Sequence, residues 1–162
     1  SWMLERHEPY PAFAIDRHWI VRMTNRPAGV LLSGVGITTG SSMLDAITAS
    51  TPLRKAIANW PEVARHMCAR LRTESRHAGG DPVLDAAAAR LAEQGAEHDR
   101  ERGLLPAVIP VRYRLGDITL SLFSTIAAFG SAEDIALAEL KIELLFPFDD
   151  ETRHALEALV AR

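Results

Sequence analysis

Long hydrophobic runs, paired cysteines and a surplus of basic charge are all missing from this sequence of 162 residues. No apolar run approaches the ~18 residues that a membrane-spanning helix needs. The single cysteine, Cys68, cannot form an internal disulfide, which excludes a secreted disulfide scaffold. A net charge of −3 argues against a nucleic-acid-binding surface on this chain. No targeting peptide is visible, so the sequence predicts a cytoplasmic protein without a membrane partner.

The composition that remains is typical of a globular domain, with 48% hydrophobic and 24% charged residues. A chain of this length buries about 70% of its unfolded surface, which is enough for a core without disulfides or metals. Residues 1–162 are therefore predicted to form a single domain. Because Met3 is not the first residue, we expect the chain to be a piece of a longer protein.

The sequence up to about residue 94 predicts two strands followed by helices. Residues 12–16 and 19–23 are rich in strand formers around a tight turn. Thr24 or Asn25 caps a short helix with Pro27 in its first turn, and further short helices follow the capping-box pattern at Ser42 and the Thr51–Pro52 pair. Two longer amphipathic helices span residues 59–76 and 81–94, the first opening with a capping box formed by Asn59 and Glu62.

The last third changes from a helical period to strand alternation. Residues 109–115 and 118–126 alternate around Gly116–Asp117, which predicts a β-hairpin. Residues 135–146 suit either a helix or a strand; we favour a strand over 138–146, and Asp149 or Asp150 then caps a final helix. Strands that flank a helical block indicate an α+β fold, with an antiparallel sheet of about five strands and helices on one face.

The sequence contains no recognisable set of catalytic residues. The glycine-rich residues 34–40 lack the Gly-Lys-Ser/Thr sequence of a phosphate loop. None of the six histidines forms a convincing metal-ligand pair with another His, Asp or Glu on a helix, and Cys68 lies near an apolar stripe without a base beside it. The sequence therefore predicts neither an enzyme nor a bound cofactor or metal.

Apolar side chains offer a better candidate for function. Helices laid on the sheet would bring them together, either as a packed core or as a pocket between the two layers. Short helices joined by loops pack less regularly than long ones, which leaves room for a cavity. An apolar ligand gains ~0.8 kcal/mol for each buried CH₂, so a long acyl chain could bind without a charged anchor.

Several segments resemble the C-terminal ligand-binding domain of the MmyB-like bacterial transcription regulators. The first runs from Tyr10 to Trp19, with the pattern Pro-x-φ-x-φ-Asp-x-x-Trp, and is followed by Asn25. Others occur in the right order along nearly the whole chain, at residues 59–64, 71–74, 123–130 and 139–147.

The resemblance implies a PAS-like fold, meaning an antiparallel sheet backed by helices. It also implies an N-terminal helix-turn-helix domain of the XRE type in the full protein, to which the DNA contacts would belong. On this view the chain is a sensor that binds a small apolar molecule, such as a fatty acid, and regulates the attached DNA-binding domain.

The pocket of such a sensor is predicted between the helices and the sheet. The residues predicted to line it are Phe13, Leu44, Ile47, Met67, Leu71, Tyr113, Leu122 and Ile142, with Tyr113 and Arg72 at polar ends. The alternative is a homodimerisation module with a filled core and no ligand, which would pair two subunits through its N-terminal segment or through Phe123 and Leu145 on the second sheet face.

Overall fold

The structure, a computed structural model, describes residues 2–49, 52–96, 108–128 and 139–161. Among these residues the elements follow in an order that separates two early strands from three late ones. They are α1 (Trp2–Glu5), β1 (Ala12–Ile15), β2 (Val21–Thr24), α2 (Arg26–Ser33), α3 (Met43–Thr48), α4 (Pro52–Ala56), α5 (Trp60–His77), α6 (Pro82–Leu91), a π-helical turn (Ala92–Ala96), β3 (Val111–Leu115), β4 (Ile118–Ala128), β5 (Lys141–Pro147) and α7 (Asp150–Val160).

The five strands form one antiparallel sheet in the order β2-β1-β5-β4-β3. The last strand in the chain therefore lies in the middle of the sheet, between β1 and β4. The predicted α+β class, with an antiparallel sheet of about five strands and helices, is confirmed. So is the hairpin at Gly116, whose φ of 59° is the left-handed conformation that a tight two-residue turn favours.

The ambiguous segment before the last helix is a strand over the residues that the structure describes. β5 begins at Lys141, while residue 138, where the strand was predicted to begin, lies outside the described residues. The final helix is capped by Asp149, whose side chain accepts a hydrogen bond from the Thr152 amide at 2.8 Å. Leu156 of this helix is buried in the main core.

The two faces of the sheet carry different cores. The larger cluster joins strand residues such as Ile15 and Leu122 with residues of helices α2 to α7. The other face holds a small cluster in which Leu4 of α1 packs on Ala12, Ala14 and Ile142. The longer helices thus share one face, as predicted, and the short α1 lies on the opposite one.

Asn25 joins the N-terminal segment, β1 and α2 at one buried point. Its Oδ1 accepts hydrogen bonds from the amides of Ala12 and Ala28 at 2.9 and 3.1 Å. Its Nδ2 donates to the carbonyl oxygens of Leu4 and Tyr10 at 3.0 and 2.8 Å. Asn25, one of the two predicted caps, is therefore the N-cap of α2. Its four hydrogen bonds also link α2 to β1 and to the N-terminal segment.

The predicted capping box at Asn59 is wrong. The Asn59 side chain makes no cap to the backbone of α5. It donates instead to the Glu62 carboxylate and to the Pro110 carbonyl oxygen, at 3.0 and 2.8 Å, and it accepts from the Arg112 amide at 2.9 Å. The side chain thus ties the start of α5 to β3, a strand about fifty residues further along the chain.

Candidate functional site

A cavity of about 190 Å³ lies between the helix-covered face of the sheet and helices α2 to α5. Its walls are almost entirely apolar. Its described lining consists of Pro11, Phe13, Ile15, Trp19, Ala28, Leu31, Leu32, Met43, Ile47, Leu53, Ile57, Trp60, Val63, His66, Met67, Arg70, Val108, Ile109, Val111, Tyr113, Leu122, Phe123, Ser124, Glu143 and Leu145. Ligand sites are usually concave, mostly apolar and furnished with a few polar groups, which is the character of this cavity.

Helix α5 supplies one wall because two of its faces are buried. Val63, His66, Met67 and Arg70 recur at intervals of three and four residues and face the cavity. A second stripe, which includes the fully buried Leu71, packs in the main core alongside residues of α6. The helix is therefore held on the sheet by one stripe while the other remains available to the cavity.

The strands supply the opposite wall through their alternation. Phe13 and Ile15 of β1 face the cavity, and so do Glu143 and Leu145 of the neighbouring β5. Because successive side chains of a strand point to opposite faces, Ile142 lies on the other side of the sheet.

The structure brings five of the predicted pocket residues together around the cavity. These are Phe13, Ile47, Met67, Tyr113 and Leu122. Tyr113 is 7% exposed, and its hydroxyl donates to the Leu31 carbonyl oxygen at 2.8 Å, so its polar end is already satisfied. Burial raises the pKa of the Tyr113 hydroxyl, which keeps it protonated and able to donate that bond.

Four other predicted residues lie away from the cavity, for reasons of periodicity. Leu71 follows Met67 by four residues, and each such step turns the side chain by about 40° around the helix, here into the main core. Arg72 is exposed on a further side of α5. Leu44 is buried beside the two α3 residues that do line the cavity, and Ile142 belongs to the small cluster on the opposite sheet face.

The second-face interface proposed for the homodimer also needs a correction. Leu145 lies on the cavity side of the sheet, where it lines the cavity and packs against the main core. Phe123 stacks on Phe146 with their ring centroids 5.4 Å apart. Both residues border the cavity, but the register pairs Phe123 with Phe146 and Leu145 with Ser124, so the side chains of Phe123 and Leu145 point to opposite faces of the sheet and do not form one surface.

A cluster of charged side chains closes one part of the cavity, and sequence reasoning missed it. Arg70 donates from Nη2 to Glu143 at 2.5 Å and from Nε to Glu74 at 2.8 Å. Lys141 donates to the other oxygen of Glu74 at 2.6 Å. The sequence does show Arg70 and Glu74 at i,i+4 spacing on α5. It does not show that β5, with Glu143 and Lys141, packs beside them.

Trp19 holds this charged cluster against the cavity wall. Its indole N–H donates to Glu74 at 2.8 Å, and the Arg70 guanidinium lies 4.4 Å from the ring centroid. Trp19 has a φ of 61°, a conformation that a bulky side chain seldom adopts and that costs of order 1–3 kcal/mol. Backbone hydrogen bonds to Asp16 and Met43 and the buried indole, 2% exposed, hold it there.

Burial and ion pairing act in opposite directions on the cluster. Burial alone would raise the pKa of Glu74, but hydrogen bonds from Lys141, Arg70 and Trp19 and the charge of Arg70 outweigh it and leave the pKa lowered. Burial opposes the charge of Arg70, yet Glu143 and Glu74 raise its pKa above the usual value. The pKa of His66 is lowered, mainly by burial and further by the charge of Arg70, so His66 is neutral at pH 7.

Acid is expected to weaken the fold through Glu74. Its pKa in the folded protein lies below the ordinary value of 4.5, so its stabilising contribution is complete above that value and is lost as the pH falls through the folded pKa. Urea denaturation between about pH 5 and pH 3 should show a falling free energy of unfolding, with a shallower fall for Glu74→Gln. The exposed Glu151→Gln should keep the wild-type slope, and equal slopes for both variants would contradict the assignment.

Neither a metal centre nor a membrane helix is present in the described part of the chain. No group of three or more His, Cys, Asp or Glu side chains is arranged there to hold a metal ion. None of the described helices combines the length and the hydrophobicity needed to cross a bilayer.

Comparisons with known proteins identify the family to which the chain belongs. No curated protein matches the sequence. Among solved structures, the chain is similar to the PAS domain of Bordetella pertussis BvgS, with 14% identity and a TM-score of 0.41 over 99% of this chain and 93% of that one. The family profile described as MmyB-like transcription regulator ligand binding domain matches residues 1–159. The chain therefore belongs to the family of MmyB-like transcription regulator ligand-binding domains.

Proposed function

We propose that this domain is a sensor that binds a small apolar molecule in the cavity and controls an attached helix-turn-helix DNA-binding domain. The observation that carries the proposal is the apolar cavity between the sheet and α5. The proposal assigns the chain no catalytic role and no cofactor, and it places the protein in the cytoplasm, where transcription is regulated.

The apolar lining supports a ligand with an alkyl or fatty-acyl body. Each CH₂ transferred from water into such surroundings contributes about 0.8 kcal/mol. Phe13, Ile47, Met67, Tyr113 and Leu122 would make the apolar contacts, together with the ring of Trp19. In this proposal the polar end of the site is formed by Arg70 and Glu143 rather than by Arg72.

Regulation requires that the ligand bind two states of the protein with different affinity. The N-terminal segment is the part that would lead to the DNA-binding domain, and it contacts the strand that lines the cavity. His7 donates from Nε2 to the Leu145 carbonyl oxygen at 2.8 Å, and Leu145 itself lines the cavity. A ligand that shifts β5 would therefore act on the N-terminal segment directly.

Ligand binding is tested by thermal melting of the domain with a panel of alkyl acids and alcohols of eight to fourteen carbons, together with native mass spectrometry. A rise in melting temperature with at least one member, or a copurified mass, is the expected result. If no member shifts the melting curve and no mass copurifies, the proposed function is wrong.

Filling the cavity should abolish this response. Met67→Trp places an indole where the α5 side chain faces the cavity, so the variant should melt normally but lose its shift with every ligand of the panel. The matched control is Val30→Trp, because Val30 is 42% exposed on α2 and does not line the cavity. A retained shift in Met67→Trp would place the ligand elsewhere.

Homodimerisation is a second candidate function, favoured by aromatic side chains on the sheet face opposite the cavity. Phe123 stacks on Phe146, and Phe148, whose ring lies 6.4 Å from that of Phe123, is 57% exposed. Exposed apolar patches of this kind often mark protein–protein contacts. Light scattering after size-exclusion chromatography should show a dimer that Phe148→Ser disrupts, whereas a monomeric wild type would remove this candidate.

A further inference from the structure

We propose that the ligand of this cavity carries an uncharged hydrogen-bond donor, a hydroxyl or a primary amide, at the end of its apolar body. A carboxylate in that position is excluded by the charges already present. The inference rests on the proposed function, since it assumes that the cavity binds a ligand, and it narrows the chemical class of that ligand.

The acceptor for such a donor is the Glu143 carboxylate. Glu143 lines the cavity, and only 5% of its side chain is exposed. Its Oε1 accepts the hydrogen bond from Arg70, whereas its Oε2 accepts none from the residues that the structure describes. Oε2 is not among the fully buried, unpartnered side-chain atoms of the described residues, so it remains reachable, and a ligand O–H or N–H that reaches it gains a strong, charge-assisted hydrogen bond.

The charge balance of the cluster argues against an anionic head group. Two cations, Arg70 and Lys141, already face two carboxylates, Glu74 and Glu143, through ion pairs of 2.5 to 2.8 Å. A ligand carboxylate would add a third negative charge in a site that excludes much of the solvent. It would also have to compete with Glu143 for the Arg70 guanidinium.

No further cation in the described lining can compensate for a ligand carboxylate. Arg70 is the one lysine or arginine there, and two of its nitrogens already donate to carboxylates. His66 also lines the cavity, but its lowered pKa keeps the imidazole neutral at pH 7. A neutral imidazole can exchange a hydrogen bond with a hydroxyl or amide without contributing charge.

The size of the cavity sets the scale of the apolar body. A cavity of about 150 Å³ holds a benzene molecule, so 190 Å³ is suited to a ligand slightly larger than benzene. Chains of about eight carbons are therefore the appropriate probes, since their head groups can be varied while the buried surface stays nearly constant.

The test is a head-group series titrated into the wild-type domain by isothermal calorimetry, using 1-octanol, octanamide and octanoate. At about pH 7.5, where octanoate is ionised, the two neutral ligands should bind at least about tenfold more tightly than octanoate. Octanoate should gain affinity toward about pH 5, as its carboxyl group begins to take up a proton. Octanoate binding at pH 7.5 as tight as that of 1-octanol would overturn the inference and leave the proposed function standing, whereas failure of all three probes would count against the proposed function itself.

A charge-neutral variant should reverse the preference. Glu143→Gln removes the negative charge beside Arg70, so octanoate should bind about tenfold more tightly than to the wild type and 1-octanol somewhat less tightly. Glu151→Gln on the exposed start of α7 is the matched control and should leave both affinities unchanged. Unchanged octanoate affinity in a folded Glu143→Gln would contradict the inference, and the wild-type head-group series decides the matter if that variant does not fold.

Discussion

Arg70→Ala is expected to lower the free energy of unfolding by about 3 to 5 kcal/mol, because it leaves Glu143 buried without a compensating charge. The same change removes one partner of Glu74 and the guanidinium that covers the Trp19 ring. Breaking a buried pair is costly chiefly because the remaining charge must stay out of water. The effect should therefore exceed that of removing any of the exposed ion pairs on this chain.

Urea denaturation of a variant series measures this effect and separates charge from packing. Arg70→Met alone should lose nearly as much stability as Arg70→Ala, whereas Arg70→Met combined with Glu143→Leu should recover most of it. Arg153→Ala is the matched control, since Arg153 pairs with Asp150 and Glu157 on the surface, and its loss should lower the free energy of unfolding far less than Arg70→Ala does. A loss in Arg70→Ala as small as that of the control would show that the buried cluster does not stabilise the fold.

Replacing Asn25 with alanine should lower the free energy of unfolding by about 3 kcal/mol. The amide side chain makes four hydrogen bonds, two as acceptor and two as donor, and the residue is 3% exposed. Without it, the amides of Ala12 and Ala28 and the carbonyl oxygen of Tyr10 lose the partner that Asn25 provides, while the Leu4 carbonyl oxygen keeps its bond from the His7 amide. Each unsatisfied buried group costs about 1–3 kcal/mol, and partial relaxation reduces the total.

Asn25→Asp is the informative companion variant. It keeps the acceptor for the two amides but turns the two donated bonds into contacts between a carboxylate and carbonyl oxygens, so it should also be destabilised. Thr39→Ala, at an exposed loop residue, serves as the control and should stay within about 0.5 kcal/mol of the wild type. Chemical denaturation provides the measurement. A wild-type stability for Asn25→Ala would show that the hydrogen bonds of Asn25 do not stabilise the fold.

Local patterns predicted most of the secondary structure. The β3–β4 hairpin followed from strict alternation around Gly116–Asp117, and the helix caps at Asn25, Ser42 and Asp149 followed from residues whose side chains bond to the nearest amides. These features depend on neighbours within a few residues, which a single sequence displays. The cap at Asn59 failed for the same reason, since its partners on and beside β3 lie some fifty residues away.

The site was predictable only in part. Apolar residues at helical or strand spacing indicated which side chains would be buried, and five of the predicted pocket residues do surround the cavity. The pattern could not assign Met67 and Leu71 to different surroundings, because both are large apolar residues one helical turn apart. Leu71 and Met67 therefore appeared equivalent in the sequence, although only Met67 faces the cavity.

The amino-acid sequence by itself determined the α+β class, the hairpin, most helix boundaries and the resemblance to a regulatory ligand-binding family. Only the tertiary structure decided that β5 lies between β1 and β4, and so that Glu143 meets Arg70 beside Trp19 at the edge of an apolar cavity. The physical reason is the distance along the chain between the residues that interact. Periodicity and capping report on neighbours along the chain, whereas strand order and the pairing of buried charges depend on how distant segments pack together.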